Sequence, residues 1–457
     1  MKKFICVLFA AVFTFGAFSA AANGEYSDYL EVPLYSECAM LICTDNDEVI
    51  FSKNINKQTM PASLTKVITA SVILSECEDL DEMFTVPESC LTELQGTGSS
   101  LAGLKAGESV SIHDLLCCLL IHSGNDAATA LACWSTGSDR QAFIDKMNAL
   151  AESLGCVNSH FTNVHGLDDE DQYVTCADMA VFFENAFKYE TFAEICGMTS
   201  YTLPESNVQK ERTIRTTNFT LMPGYKDYYC KYEQGGKTGT TSGAGCCLVS
   251  KASNNGYNYI AVCMNSIKED IDNDYVDENG AFVDTKAMYD WAFGNLRLVP
   301  IASSARIVGE VPVRYGKDAD RVTLCPGSNS YGLMPKGVDE SGLLIEVIDD
   351  TAPERLTAPV HKGDYVCKGR VLFSGDVIAE IDLVSSSDIK RSFLSLFGTT
   401  IEDIFSSPVF KALVAAAAVV FLLLVFSRRA AKKKSRPKSN YETLKQSDFA
   451  KKGERKK

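Results

Sequence analysis

Pro61-Ala62-Ser63-Leu64-Thr65-Lys66-Val67-Ile68-Thr69-Ala70-Ser71-Val72-Ile73-Leu74-Ser75 couples a reactive pair of residue types to an apolar helix. Leu64, Val67, Ile68, Val72 and Leu74 recur at helix-compatible spacing, which predicts a buried helix over 63–75. Ser63 and Lys66 stand three apart at its start, so they share one face and their heads can meet. A helix start also offers unpaired N–H groups and a positive dipole end, both suited to an oxyanion. Burial beside Leu64, Val67 and Ile68 lowers a lysine's pKa, and a neutral amine can take the proton of a serine hydroxyl. A serine N-cap followed by a solvated lysine produces the same pattern, so the pair needs support from elsewhere in the chain.

Upstream, Ala39–Cys43 and Glu48–Ser52 are strand-like runs split by Thr44-Asp45-Asn46, a hairpin signal. Downstream, Leu115–Leu131, Arg140–Leu150 and Cys176–Phe187 read as further helices. Strands return at Lys237–Thr241, Gly245–Ser250 and Tyr257–Met264, the last two joined by Asn254-Asn255-Gly256. Strands at both ends with helices between predict an α+β domain over 30–298, after a linker at 24–36. From Ala305 the texture changes. Arg306–Arg314, Arg321–Leu324, Leu343–Ile348, Tyr365–Phe373 and Val377–Val384 predict a small all-β domain over 300–386, a spacer or partner-binding surface without a catalytic cluster.

Two more patterns bear on chemistry. Ser-x-x-Lys occurs three times and Ser-x-Asn three times, but Lys237-Thr238-Gly239 occurs once. The rival Ser-x-x-Lys pairs lie in polar or basic stretches near the C-terminus. Ser123-Gly124-Asn125-Asp126 interrupts two apolar runs, Leu115–Ile121 and Ala127–Ala132. A polar break between buried helices can offer a cleft one hydroxyl for proton relay and one amide for a peptide bond. Lys237-Thr238-Gly239 follows Gly235-Gly236 at a strand start, where Lys237 and Thr238 can hold a carboxylate and Gly239 can admit a substrate backbone. Ser123 comes 60 positions after Ser63, and Lys237 comes 112 after Asn125. In that order the three make the signature of penicillin-recognising serine acyltransferases.

The surroundings narrow this. Pro61-Ala62-Ser63-Leu64-Thr65-Lys66, Ser123-Gly124-Asn125-Asp126-Ala127-Ala128 and Lys237-Thr238-Gly239 closely resemble the D-alanyl-D-alanine carboxypeptidases of the low-molecular-mass penicillin-binding proteins, peptidase family S11. So do Phe161-Thr162-Asn163-Val164-His165-Gly166-Leu167 and Tyr173-Val174-Thr175-Cys176-Ala177-Asp178-Met179, giving a resemblance from about Ala39 to Ser266. It implies a penicillin-binding-protein or serine β-lactamase-like transpeptidase fold, an antiparallel sheet with a helical subdomain, followed by a small all-β domain and one transmembrane helix. It further implies that Ser63 attacks the penultimate D-Ala carbonyl with Lys66 as base. Backbone N–H groups of Ser63 and Thr240 would form the oxyanion hole, Ser123 would pass a proton to the departing D-Ala, and Asn125 would orient the peptide. Lys237 and Thr238 would grip the terminal carboxylate of a peptidoglycan stem peptide ending in D-Ala-D-Ala. β-Lactams would acylate Ser63 by mimicking that terminus. A class A β-lactamase would need a Glu-x-x-Leu-Asn motif after the second pattern, which the sequence lacks; a transpeptidase, an endopeptidase and a non-catalytic membrane sensor of β-lactam or wall peptide stay open.

The chain of 457 residues carries 44 Lys+Arg against 59 Asp+Glu, a net charge of -15, with 46% hydrophobic residues. That composition argues against a disordered chain, and the excess of acid against a nucleic-acid partner. Collagen, a coiled coil and a many-span membrane protein are excluded by the spread of apolar residues. Residues 1–22 read as a secretory signal: Lys2-Lys3, an apolar stretch from Phe4 to Phe18, then small residues. Val409–Ser427 is long enough to span a bilayer, and residues 428–457 form a tail of net charge +10, which predicts a single-pass bacterial membrane protein with that tail cytoplasmic. Between them, 388–408 is an amphipathic juxtamembrane segment, lying on lipid or packed on the β domain. The exported part, 23–427, carries about -27 and sixteen cysteines without a framework spacing, so bridged and reduced states are both open. His113, His122, His160, His165 and His361 show no metal-ligand spacing, and no Gly-rich phosphate loop follows a strand, so no cofactor is expected.

Overall fold

The computed structural model describes residues 34–271, 276–392 and 404–434. The signal at 1–22, most of the 24–36 linker, most of the 388–408 segment and most of the basic tail lie outside the described residues. The chain divides into two units, 1–301 with 331–341, and 302–330 with 342–457.

In the first unit, β1 (Ser36–Cys43), β2 (Glu48–Lys53), β7 (Glu233–Thr241), β8 (Gly245–Asn254) and β9 (Tyr257–Ser266) form one antiparallel sheet, ordered β2-β1-β9-β8-β7. Its inner strands are apolar on both faces. Cys38, Met40 and Ile42 of β1 join one core while Ala39, Leu41 and Cys43 join another, the period-2 alternation of a strand covered on both sides. The first core is closed by α1 (Thr65–Glu76), α3 (Ile112–Leu120), α4 (Asn125–Thr136), α5 (Arg140–Ser153), α6 (Cys176–Ala186) and α7 (Glu190–Gly197). Smaller elements complete this side: β3 (Met83–Thr85) with β4 (Ser109–Ser111), the short α2 (Ser89–Thr92), and β5 (Ser200–Leu203) with β6 (Arg212–Arg215). The Asn254-Asn255-Gly256 hairpin forms as expected, with Asn255 and Gly256 both at positive φ.

Three sequence expectations are corrected. Ser63 does not lie in the helix: a 3₁₀ turn, Ala62–Leu64, precedes α1 and holds it one turn ahead. Leu115–Leu131 is not one helix, because Ser123 at φ +61° and the Gly124 N–H donating to the Cys118 carbonyl turn the chain between α3 and α4. The third concerns the other face of the sheet, which carries a helix the pattern did not reveal, α8 (Gly280–Asn295), after the short pair β10 (Lys268–Glu269) and β11 (Glu278–Asn279). Its apolar residues are spread around its circumference, so no amphipathic stripe shows. The Asn279 side chain caps it, accepting from the Ala281 and Phe282 N–H groups. Inside it, buried Asp284 accepts from the N–H groups of Tyr35 (3.0 Å) and Ser36 (2.6 Å), fastening the entry of β1 to α8.

In the second unit, β13 (Gly309–Arg314), β14 (Arg321–Pro326), β16 (Leu343–Val347), β17 (Leu356–Thr357), β18 (Tyr365–Phe373) and β19 (Asp376–Ser385) form a sheet ordered β16-β18-β19-β14-β13-β17. Val311, Leu324, Val366, Cys367 and Leu383 centre one of its cores. The span expected at 300–386 is interrupted, however. Residues 331–341 belong to the first unit, where β15 (Ser330–Pro335) pairs with β12 (Leu296–Ala302) and Leu333 is buried. Further on, α9 runs Pro408–Lys434; its apolar part, Pro408–Arg429, has exposed side chains and a length of about 33 Å at 1.5 Å per residue, enough for a bilayer core.

Replacing Asp284 by Ala leaves two buried N–H groups without an acceptor. We expect a loss of about 3 kcal/mol in urea unfolding, with a smaller loss for Asp284→Asn, which keeps one acceptor oxygen.

Candidate active site

The 3₁₀ turn and α1 set Ser63 and Lys66 on one face, as their spacing requires. Lys66 is fully buried and its Nζ lies 2.7 Å from Ser63 Oγ, 2.6 Å from Asn125 Oδ1 and 2.7 Å from the His165 carbonyl oxygen. Burial pushes the Lys66 pKa well below its usual 10.5, and the nearby Lys237 charge pushes it the same way. Asn125 Oδ1 and the His165 carbonyl can only accept. Ser63 can also donate, so a neutral amine directs its two N–H bonds to the first two and turns its lone pair to the Ser63 O–H.

Asn125 opens α4. Its N–H donates to the Ser100 carbonyl, and Asp126 beside it accepts from the N–H groups of Ala102 and Leu104. These bonds fix the polar break between α3 and α4. Ser123, also buried, accepts at 2.8 Å from Lys237 Nζ, which donates equally to the Thr238 carbonyl. Lys237 is buried, and its pKa is pulled down to about 7 by that burial.

Lys237, Thr238, Gly239 and Thr240 lie on β7, the sheet's edge strand. Thr238 Oγ1 pairs with Thr217 Oγ1 at 2.5 Å, while Thr240 is exposed and donates its hydroxyl proton to the Gly239 carbonyl. Gly239 also has a packing role that its residue type did not reveal. A Cβ there would come within 2.9 Å of the Ser63 nitrogen and the Ala62 Cβ, so the missing side chain lets β7 approach the turn carrying Ser63. Ser63, Ser123, Thr238, Gly239 and Thr240 line one cleft of about 610 Å³, together with Ser100, Thr217 and the stacked rings of Phe219 and Tyr225.

Several contributors escape a reading of side-chain patterns. The His165 carbonyl is one, since any residue supplies a carbonyl. Gly166 is another: a Cβ there would lie 1.8 Å from the Ala62 carbonyl oxygen. Asp168 accepts from Thr241 Oγ1 and the Gly243 N–H, tying the end of β7 to the same segment. Half-buried Glu233 at the start of β7, whose carboxyl pKa desolvation raises to about 7, accepts from Asn218 Nδ2 at 2.6 Å. His165, with its pKa pushed down to about 3, chiefly by burial, stays neutral at physiological pH. His122 lies against the Arg215 carbonyl, 3.3 Å away. Among the described residues, no group of three His, Cys, Asp or Glu side chains could hold a metal ion.

Comparison with known proteins agrees with this geometry. The D-alanyl-D-alanine carboxypeptidase family (peptidase S11) matches residues 28–268, and the C-terminal domain of penicillin-binding protein 5 matches 298–391. The chain is 28% identical over 407 residues to D-alanyl-D-alanine carboxypeptidase DacF of Bacillus subtilis, covering 88% of this chain and 99% of that one. It is 29% identical over 355 residues to DacC of Escherichia coli, covering 75% and 82%. Among solved structures, penicillin-binding protein 5 of Haemophilus influenzae superposes with a TM-score of 0.63 at 26% identity, over 79% of this chain and 99% of that one. The Streptomyces K15 DD-transpeptidase superposes with a TM-score of 0.52 at 26% identity, over 57% and 98%. By sequence and by fold, therefore, the chain belongs to the D-alanyl-D-alanine carboxypeptidase family of serine peptidases.

Proposed function

We propose that the chain removes the terminal D-alanine from peptidoglycan stem pentapeptides through an acyl-enzyme on Ser63. The observation that carries this is the 2.7 Å contact between Ser63 Oγ and a fully buried Lys66 Nζ. A lysine held neutral there takes the Ser63 proton as Oγ bonds to the penultimate D-Ala carbonyl. The N–H groups of Ser63 and Thr240 receive the negative oxygen. As the C–N bond breaks, Ser123, in contact with Lys237, hands a proton to the departing amine. Asn125 orients the peptide, and Lys237 with Thr238 holds the terminal carboxylate. Water then attacks the ester and frees the shortened peptide. A β-lactam enters the first half of this cycle and remains on Ser63. A β-lactamase is disfavoured by the family, and a sensor is separated from the enzyme by release of D-Ala. Pro408–Arg429 suits a membrane anchor; with positive flanks retained in the cytoplasm, the catalytic unit faces the wall and the basic tail faces inward.

Three outcomes test this reading. Ser63→Ala should abolish both D-Ala release and the mass increase with penicillin, whereas Lys66→Ala should keep the fold and slow acylation on the order of 10³-fold. Labelling at another serine would refute the assignment. The pH profile has a defined sign. Acylation requires neutral Lys66, so its rate should climb with pH through a limb well below 10.5. Capture of a carboxylate requires charged Lys237, so kcat/KM for a D-Ala-D-Ala peptide should fall as the free enzyme passes pH about 7. Finally, deleting residues 409–457 should release active protein from membranes, which fractionation and penicillin labelling would register.

A further inference from the structure

The sulfurs of Cys90 on α2 and Cys133 on α4 lie 2.8 Å apart, closer than two unbonded sulfur atoms usually rest. Both belong to the helical core; Cys90 is fully buried and Cys133 is 9% exposed. The thiols sit 43 residues apart in sequence, and their neighbourhood is polarised. Cys90 donates its S–H to Cys133, and the Arg140 guanidinium stands close by, held by the Thr129 carbonyl (2.9 Å) and Glu93 (2.8 Å). Both influences draw the Cys133 pKa down to about 7, which makes it the thiolate of the pair.

We propose that Cys90 and Cys133 are a cross-linking site, joined as a disulfide that locks α2 to α4. The proposal rests on the reading that this unit is exported, where oxidants are available, but its chemistry can be tested without that premise. The Cys133 thiolate attacks a disulfide of the glutathione or thiol–disulfide oxidoreductase type, forming a mixed disulfide and expelling one thiolate. The Cys90 thiolate then attacks the Cys133 sulfur and expels the second. Two chain thiols become one S–S bond, the external disulfide becomes two thiols, and the two chain protons pass to them. Burial of Cys90 requires the exchange to begin with the 86–104 segment lifted off α4, where the Arg140 guanidinium, held by the Thr129 carbonyl, still favours the Cys133 thiolate. The consequence for the site is direct, because α4 begins at Asn125 and the segment after α2 supplies the Ser100 carbonyl and the Ala102 and Leu104 N–H groups that fix it. The bridge closes a loop around this latch.

The test uses the full chain in detergent, unfolded and refolded with oxidised glutathione, then alkylated and digested for mass spectrometry. The expected result is a Cys90–Cys133 linked peptide pair, lighter by two hydrogens than the two thiol peptides. The midpoint for heat loss of penicillin labelling should drop on the order of 10 °C when the bridge is reduced, and Cys90→Ser should erase that difference. Recovery of both cysteines singly alkylated from refolded protein overturns the proposal, as does their pairing with other thiols, for instance if Cys38 or Cys176, which also face each other, takes one of them. The peptide measurement needs no variant, so a misfolded Cys90→Ser leaves it decisive. Labelling of Ser63 in the reduced protein reports separately on the carboxypeptidase reading.

Discussion

A buried lysine that, among the described residues, hydrogen-bonds to no carboxylate is the constraint around which this unit is organised. Charged, Lys66 would satisfy its three N–H bonds with three oxygens but have only the more distant Asp126 carboxylate to offset its charge; neutral, it matches two acceptors and one hydroxyl. Desolvation favours the second arrangement. Its three oxygens come from distant parts of the chain: the 3₁₀ turn, the start of α4 and the segment after α5. The sheet, the helices and the two glycine contacts hold those segments within hydrogen-bond reach of one nitrogen. Lys237, also buried, raises the cost of a second positive charge and so makes the neutral state of Lys66 more favourable.

Two of the strained backbone positions flank the same cleft. Ala62 and Ser123 both adopt positive φ without being glycines, a conformation that persists only where the surroundings over-determine it. At Ala62 the surroundings are the Thr65 hydroxyl, which donates to its carbonyl, and Gly166 packed on that carbonyl. At Ser123 they are the Gly124 N–H bond to Cys118 and the Lys237 contact. The stress is placed where two hydroxyls must point into the cleft rather than along a helix.

The reading of the sequence reached side chains better than backbone. Ser63, Lys66, Ser123, Asn125 and Lys237 were legible because only a few residue types can carry a hydroxyl, an amide or an amine to a cleft, and their order limited the choices. A carbonyl such as that of His165 leaves no mark in composition. Gly239 was visible as a glycine but not as the neighbour of Ser63, since a glycine shows that space is needed without showing what fills it. α8 was missed for the opposite reason: buried on most sides, it has no polar stripe for periodicity to detect. The return of residues 331–341 to the first unit was hidden because a strand's sequence does not name the sheet it joins.

The position of β1 in the sheet bears on how the molecule is made. β1 is paired on one side with its immediate successor β2, but on the other with β9, Ser36 opposite Ser266. On a chain emerging from its N-terminus, the opening hairpin therefore has an unpaired inner edge until more than two hundred further residues have followed. Such non-local pairing is slow, and an exposed apolar strand invites the wrong partner in the interval. Assembly of this unit is thus a late event, completed when β9, already neighboured by β8 and the clamp strand β7 beyond it, docks on β1, and anything that shields the waiting edge during biogenesis would govern its yield.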